Sequence, residues 1–183
     1  MTLLRDGAVL ADDYETLAAD DPRLEGDAPL TGALIVPAEA WAAASARAAE
    51  GAQIGAWGHA EGAEAAALEA AAAAGAPILK LCFPAYNDGR FFSLARRVRA
   101  AGYAGILRAH GPLIPDQAFF AARVGFDEIE LPEGMAERAG VENYAQAARA
   151  AAGRYQWGFA ERGEDAPVSI LAARHAERLR RAG

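Results

Sequence analysis

The sequence predicts an α/β protein, a single domain built on a mainly parallel five-stranded sheet flanked by helices. From Gly32 onward, short apolar runs alternate with helix-like runs. The five strand candidates start at 33, 53, 78, 105 and 128, in steps of 20, 25, 27 and 23 residues. A hairpin needs only a few linking residues, whereas a parallel crossover needs a dozen or more, so these steps fit βα units. Five units are too few for the eight of a closed βα barrel. The count therefore favours an open sheet of the Rossmann or flavodoxin kind over the alternative, an incomplete βα barrel.

Residues 1–31 are acidic and punctuated by Gly7, Pro22, Gly26 and Pro29. They read as a partly ordered N-terminal segment, with a short edge strand at 8–10 and solvated charge at Asp12-Asp13 and Asp20-Asp21. The α/β domain is placed at 32–160. Its first strand, 33–36, leads through Pro37 into a helix at 39–50 that Gly51 ends. Strand 53–57 precedes helix 61–74, nearly all alanine and glutamate and stopped by Gly75 and Pro77. Strand 78–83 precedes a helix with Leu94, Val98 and Ala101 at helical spacing and Gly102 at its end. Strand 105–109 precedes a helix that starts near Pro115, partly buries Phe119, Phe120 and Val124, and ends at Gly125. The last strand, 128–131, is followed by a helix at 141–152, an edge strand at 155–157 and a C-terminal tail or helix over 161–183.

Composition narrows the function classes. The 183 residues hold 18 basic and 25 acidic side chains, a net charge of −7. That balance opposes a general affinity for nucleic acid or anionic membrane, both of which reward a basic face. Cys82 is the only cysteine, which excludes an intramolecular disulfide and a multi-thiolate metal site built from one chain. No apolar run approaches the roughly 18 residues of a membrane span. Residues 1–6 lack a basic region followed by an apolar one, so no signal peptide is read. The expectation is a soluble cytoplasmic protein.

In parallel α/β architectures ligands bind beyond the carboxyl ends of the strands, which singles out the turns at 84–90 and 109–117. Tyr86-Asn87-Asp88-Gly89-Arg90 is the richest turn. Asn87-Asp88-Gly89 tolerates positive φ and can aim successive amides into one concavity. Arg90 lies near a helix N-terminus, where free amides already attract anions, and its planar fork suits carboxylate, phosphate or sulfur oxyanions. Asp88 is read either as a cap for that helix or as a general acid or base. Arg108 ends a buried strand, where an unpaired charge is costly. Its partner is either Asp88 or Asp116, locking the loops, or an anionic ligand or another protein's carboxylate. Asp116, beside Gln117, favours the helix dipole in any case.

His59 and His110 fall in candidate turns, either as acid–base groups or as polar loop residues. Cys82, between Leu81 and Phe83, reads as a small buried apolar group. Gly55-x-x-Gly58-x-x-x-Gly62 lacks the dinucleotide spacing, and His59, His110 and His175 show no metal-ligand spacing, so no cofactor is specified.

The run Phe83-Pro84-Ala85-Tyr86-Asn87-Asp88-Gly89-Arg90, continuing to Ser93, Ala95-Arg96 and Arg99, resembles the bacterial domain of unknown function 934 family. So do Leu107-Arg108-Ala109, Gly111, Asp116-Gln117, Arg123, Gly125-Phe126-Asp127 and Tyr155-Gln156. The resemblance covers roughly residues 30–157. Departures include Phe91 where the family usually has glycine, and Val124 where it usually has cysteine. The run Gly111-Pro112-Leu113-Ile114-Pro115-Asp116-Gln117 also lacks an acid and a base of the usual pattern.

The resemblance implies a place beside sulfite reductase and adenylylsulfate-reducing enzymes, in a group often labelled oxidoreductases. The expected function is an accessory protein of assimilatory sulfate and sulfite reduction, as an electron-transfer or assembly partner of sulfite reductase. The binding set is Tyr86, Asn87, Asp88, Gly89, Arg90, Ser93, Arg108, Asp116 and Gln117. The alternatives are an enzyme acting on a small phosphorylated or sulfur-oxyanion substrate, with Asp88 or His110 as acid or base, and a non-catalytic scaffold.

Overall fold

A computed structural model of the chain describes residues 1–5 and 8–150. Its eight strands form one sheet, in the order β2-β1-β8-β7-β6-β5-β4-β3. They are β1 (Thr2–Arg5), β2 (Ala8–Leu10), β3 (Glu15–Thr16), β4 (Ala33–Pro37), β5 (Gln53–Gly58), β6 (Ile78–Cys82), β7 (Ile106–His110) and β8 (Glu128–Leu131). Strands β3 to β8 are parallel and adjacent in sequence order, while β1 runs antiparallel to β8 and β2 antiparallel to β1. The helices are α1 (Trp41–Ala46), α2 (Gly62–Ala73), α3 (Arg90–Ala100), α4 (Pro115–Val124), α5 (Met135–Ala139) and α6 (Val141–Ala150).

Right-handed crossovers that always step in one direction place every helix on the same face of the sheet. The packing follows that rule. Leu79 and Leu81 of β6, Leu107 and Ala109 of β7, and Ile129 and Leu131 of β8 share a core with Leu68, Phe91, Leu94, Val98, Ala118 and Tyr144. A second cluster under α1 joins Leu34, Val36 and Ile54 to Leu17, Leu30 and Ala44. Because strand side chains alternate, Ile78, Lys80, Cys82, Ile106, Arg108, His110, Glu128 and Glu130 face the other way.

That second face is concave, and chain length requires it. In a flat sheet, seven strand spacings would separate β2 from β3 by about 34 Å. The chain covers that gap in five residue steps, Leu10 to Glu15, which reach at most ~18 Å. The sheet therefore curls into a half-barrel, and residues 11–14 cross its open side like a strap.

The α/β class and the open, mainly parallel sheet match the sequence reading, but several details differ. Among the described residues the sheet has eight strands rather than five and starts at residue 2 rather than 32. Strand β2 coincides with the short edge strand read at 8–10, while β1 and β3, four and two residues long, are too short for pattern reading. The strand order never reverses, so this open sheet has the incomplete-barrel arrangement rather than a doubly wound one.

The predicted helix at 39–50 is a 3-10 turn, Ala38–Ala40, followed by the short α1. It ends early because the chain leaves it to pair with Leu30, whose amide donates to the Arg47 carbonyl at 2.9 Å and whose carbonyl accepts from Ala49 at 2.8 Å. Helix α4 has Pro115 in its first turn and Gly125, at φ +102°, closing it, as the sequence indicates. Residues 151–152 of the last predicted helix, the strand placed at 155–157 and the tail at 161–183 lie outside the described residues.

Candidate functional site

Two charged clusters stand out, one on the rim above the carboxyl ends of the strands and one on the concave face. On the rim, Asp88 accepts a hydrogen bond from the Arg90 backbone amide at 3.0 Å. Its carboxylate also takes the Arg90 guanidinium, with Nη2 to Oδ2 at 2.6 Å. The same guanidinium bonds Glu61, from the turn after β5. Hydrogen bonds from Arg90 hold the Asp88 carboxyl below its usual range, and Asp88 and Glu61 push Arg90 up. Gly89 has φ −87°, so the turn lacks the left-handed glycine that an anion-cradling nest needs.

Gln117 ties the two sequence-flagged turns together. Its Oε1 accepts from the Ile114 amide at 3.1 Å, and its Nε2 donates to the Tyr86 carbonyl. Asn87, Ser93 and Asp116 are exposed. Tyr86, Ile114 and Phe120, flanking the Gln117 bridge, are exposed large apolar side chains. The rim is therefore polar but internally paired, with an apolar border.

The concave face carries the larger surprise. Arg108, whose side chain is 2% exposed, does not pair with Asp88 or Asp116. Its Nε donates to Glu128 at 2.8 Å, while Nη1 and Nη2 grip both oxygens of Asp12 at 2.7 and 2.9 Å. Nη1 also lies 3.5 Å from Glu130. Lys80 Nζ donates to Glu130 at 2.9 Å and to Thr16 at 3.1 Å, and Arg5 bonds Glu128. Buried charges persist only when paired in this way. Burial works against the charge on Arg108, but Asp12 and Glu128 outweigh it and raise its pKa. Burial likewise pushes the Glu130 carboxyl up, yet His110 and Lys80 hold it down, at about 2.

The register dictates this network. Arg108 faces Glu128 and His110 faces Glu130 across the β7–β8 ladder, while Lys80 faces Arg108 and Cys82 faces His110 across β6–β7. His110 Nδ1 is buried, 3.3 Å from Glu130 Oε1, and makes no aligned hydrogen bond. Burial pushes the Cys82 thiol up to about 11, so at neutral pH it is a thiol rather than a nucleophilic thiolate. His59 belongs to neither cluster, since its Nδ1 and its backbone amide both meet Glu64, at 2.9 and 2.6 Å.

Sequence reading found Arg108 but missed its partners Asp12, Glu128 and Glu130, and missed Lys80, which pairs with Glu130 beside it. Asp12 had passed as solvated charge, because a contact spanning 96 positions leaves no local trace. The strand charges did leave one: Lys80-x-Cys82, Arg108-x-His110 and Glu128-x-Glu130 repeat at the strand period of two.

One of two large cavities touches these clusters. One of about 670 Å³ opens at the amino end of the concave face, beneath the strap, and includes Arg5, Tyr14, Gln53, Arg108 and Glu128 in its wall. Another of about 720 Å³ lies between α2 and α3, lined mostly by alanine and glycine, and reaches neither charged cluster. Among the described residues, no three His, Cys, Asp or Glu side chains converge to hold a metal ion, and no helix is long and apolar enough to cross a membrane.

Comparison with known proteins gives a family match. The model of a family described as "Bacterial protein of unknown function (DUF934)" fits residues 58–164, which include both rim turns, β6 to β8 and most of the concave charges. No curated protein and no solved structure matches the chain.

Proposed function

The chain belongs to this bacterial DUF934 family, and from that premise we propose that it is a cytoplasmic accessory protein of assimilatory sulfate and sulfite reduction. In this reading it docks on sulfite reductase, as an assembly or electron-transfer partner, through the rim formed by turns 84–90 and 111–117. The pathway is supported by the sequence resemblance alone. The docking role is supported by one structural observation: the chain's own carboxylates saturate Arg90, the rim arginine singled out as an anion anchor. A small oxyanion at Arg90 would have to displace two of them. What the rim leaves uncommitted is the apolar border of Tyr86, Ile114 and Phe120, a surface that suits a protein partner better than a small anion.

The test is co-purification from cells growing on sulfate as sole sulfur source. Tagged wild-type chain should retain sulfite reductase, and Tyr86→Ser with Phe120→Ser should reduce the retained amount at least tenfold while the protein stays folded. Failure of the wild-type chain to retain the reductase would sink the proposal.

A second reading, an enzyme acting on a small anion, rests on His110. Its imidazole is backed by Glu130 and lies at the carboxyl end of β7, where βα architectures place catalytic groups. In that case the isolated protein would turn over a sulfur or phosphate metabolite saturably, and His110→Gln would abolish the turnover. Turnover that is unchanged in the variant would remove His110 from the account.

A further inference from the structure

We infer that the cavity beneath the strap is a binding site for a small anion presenting two oxygens, a carboxylate or a sulfur or phosphorus oxyanion, and that Asp12 holds its anion position. This goes beyond the docking reading, because it concerns the opposite end of the half-barrel and needs no partner.

The first support is geometric. Asp12 meets Arg108 through two parallel bonds, at 2.7 and 2.9 Å, the fork-on-fork arrangement by which guanidinium recognises free carboxylates and oxyanions. The guanidinium is set without Asp12, since Glu128 holds its Nε at 2.8 Å within the sheet. A pre-set fork pays no ordering cost when its anion changes.

The second support is charge. Leaving His110 aside, the network within the sheet holds three cations, Arg5, Lys80 and Arg108, against two anions, Glu128 and Glu130. Asp12 supplies the missing negative charge. It comes from the strap rather than from the sheet, and its side chain is 32% exposed. Only a group of like charge can replace it without leaving the buried Arg108 guanidinium with Nη2 unbonded and Glu128 as its one close carboxylate.

The third is space. The cavity of about 670 Å³ falls in the size range of small-molecule sites. Beyond Arg108 its wall holds Gln53 and Tyr14, which are hydrogen-bonded to each other, Arg5, and two acids, Asp13 and Glu128, of which Glu128 is already paired with Arg5 and Arg108. A ligand whose anionic end takes the Asp12 position would extend toward Arg5 and Gln53 as the strap, with Asp12 and Tyr14, lifts.

The experiment is calorimetric titration and thermal melting of the full chain with sodium acetate, sodium sulfate and sodium phosphate, against sodium chloride at equal ionic strength. It compares wild type, Asp12→Ala and Asp12→Asn, the last retaining the strap's shape should the alanine variant fold poorly. The variants should melt lower than wild type and recover by several degrees with an oxyanion but not with chloride. They should bind one anion per chain at least tenfold more tightly than wild type does. Recovery with acetate alone assigns a carboxylate ligand, and recovery with sulfate or phosphate assigns a tetrahedral oxyanion. Adding Arg108→Lys to Asp12→Asn should remove the tenfold gain. Equal stabilisation of wild type and variants, or no recovery beyond chloride, overturns the inference. Neither result depends on sulfite reductase, so the site and the docking role can fail separately.

Discussion

Arg108 and Arg90 are the same residue type, each gripped by more than one carboxylate, yet they do different work. Arg108 is 2% exposed in the concave face, and Arg90 is 53% exposed on the rim. An exposed pair trades protein partners for water at little net cost, whereas a buried ion stripped of its partner has no water to turn to. The carboxylate count around an arginine therefore says little until its burial is known. By that measure the concave network organises the sheet, and the rim cluster arranges a surface.

The strongest way to break this comparison is to remove both guanidinium groups in turn. Arg108→Ala leaves Glu128 and Glu130 short of a cation inside the sheet and should cost about 3–5 kcal/mol, a large part of a typical domain's stability. Urea unfolding should show that loss, while Arg90→Ala should leave the midpoint nearly unchanged. Similar losses in the two variants would dissolve the distinction.

Acid gives the next largest separation. Glu130 is held at about 2, below its ordinary 4.5. A carboxyl depressed on folding contributes stability that is complete above its unfolded pKa and is lost as pH falls through the folded one. Wild type should therefore weaken steeply between about pH 4.5 and pH 2. Glu130→Gln, less stable at neutral pH, should show a flatter decline over that window when followed by urea unfolding at several pH values. An unchanged slope would remove Glu130 from the acid response.

Gly111 sharpens the boundary between the two regions, because it carries the chain from β7 to the rim. Its φ is +140°, and a Cβ there would lie 2.4 Å from the Phe83 carbonyl oxygen. Gly111→Ala should cost roughly 1–3 kcal/mol from that strain. Melting that matches wild type would show that the joint relaxes freely. A smaller effect than at Gly111 is expected at Asp88, whose carboxylate accepts the first amide of α3. Asp88→Ala should cost about 1 kcal/mol, visible as a modest shift in thermal midpoint.

Much of the parallel sheet was legible because its spacing is periodic. The strand at 128–131 coincides with β8, and the Pro115 and Gly125 signals bracket α4. Of the N-terminal strands only β2 was legible, as an edge strand. Strands β1 and β3 are short and are held by pairing with β8 and β4, at sequence distances no local pattern encodes. The site divides the same way. Gln117 and Tyr86 do meet on the rim, as their shared turns suggest. Arg108 was correctly read as needing a partner, but the acids named for it, Asp88 and Asp116, lie away from it, and the sheet register and the curl brought Glu128 and Asp12 instead. Only closure of the half-barrel puts residue 12 beside residue 108.

The most direct test of the division between core network and surface cluster compares Asp12→Ala with Glu61→Ala, each of which removes one carboxylate from an arginine. Urea unfolding at neutral pH and low salt is the measurement. The account predicts a loss of about 2 kcal/mol for Asp12→Ala, where a hydrogen-bonded charge pair is broken at a buried guanidinium, and no resolvable change for Glu61→Ala. Equal losses, or a larger one at Glu61, would contradict it.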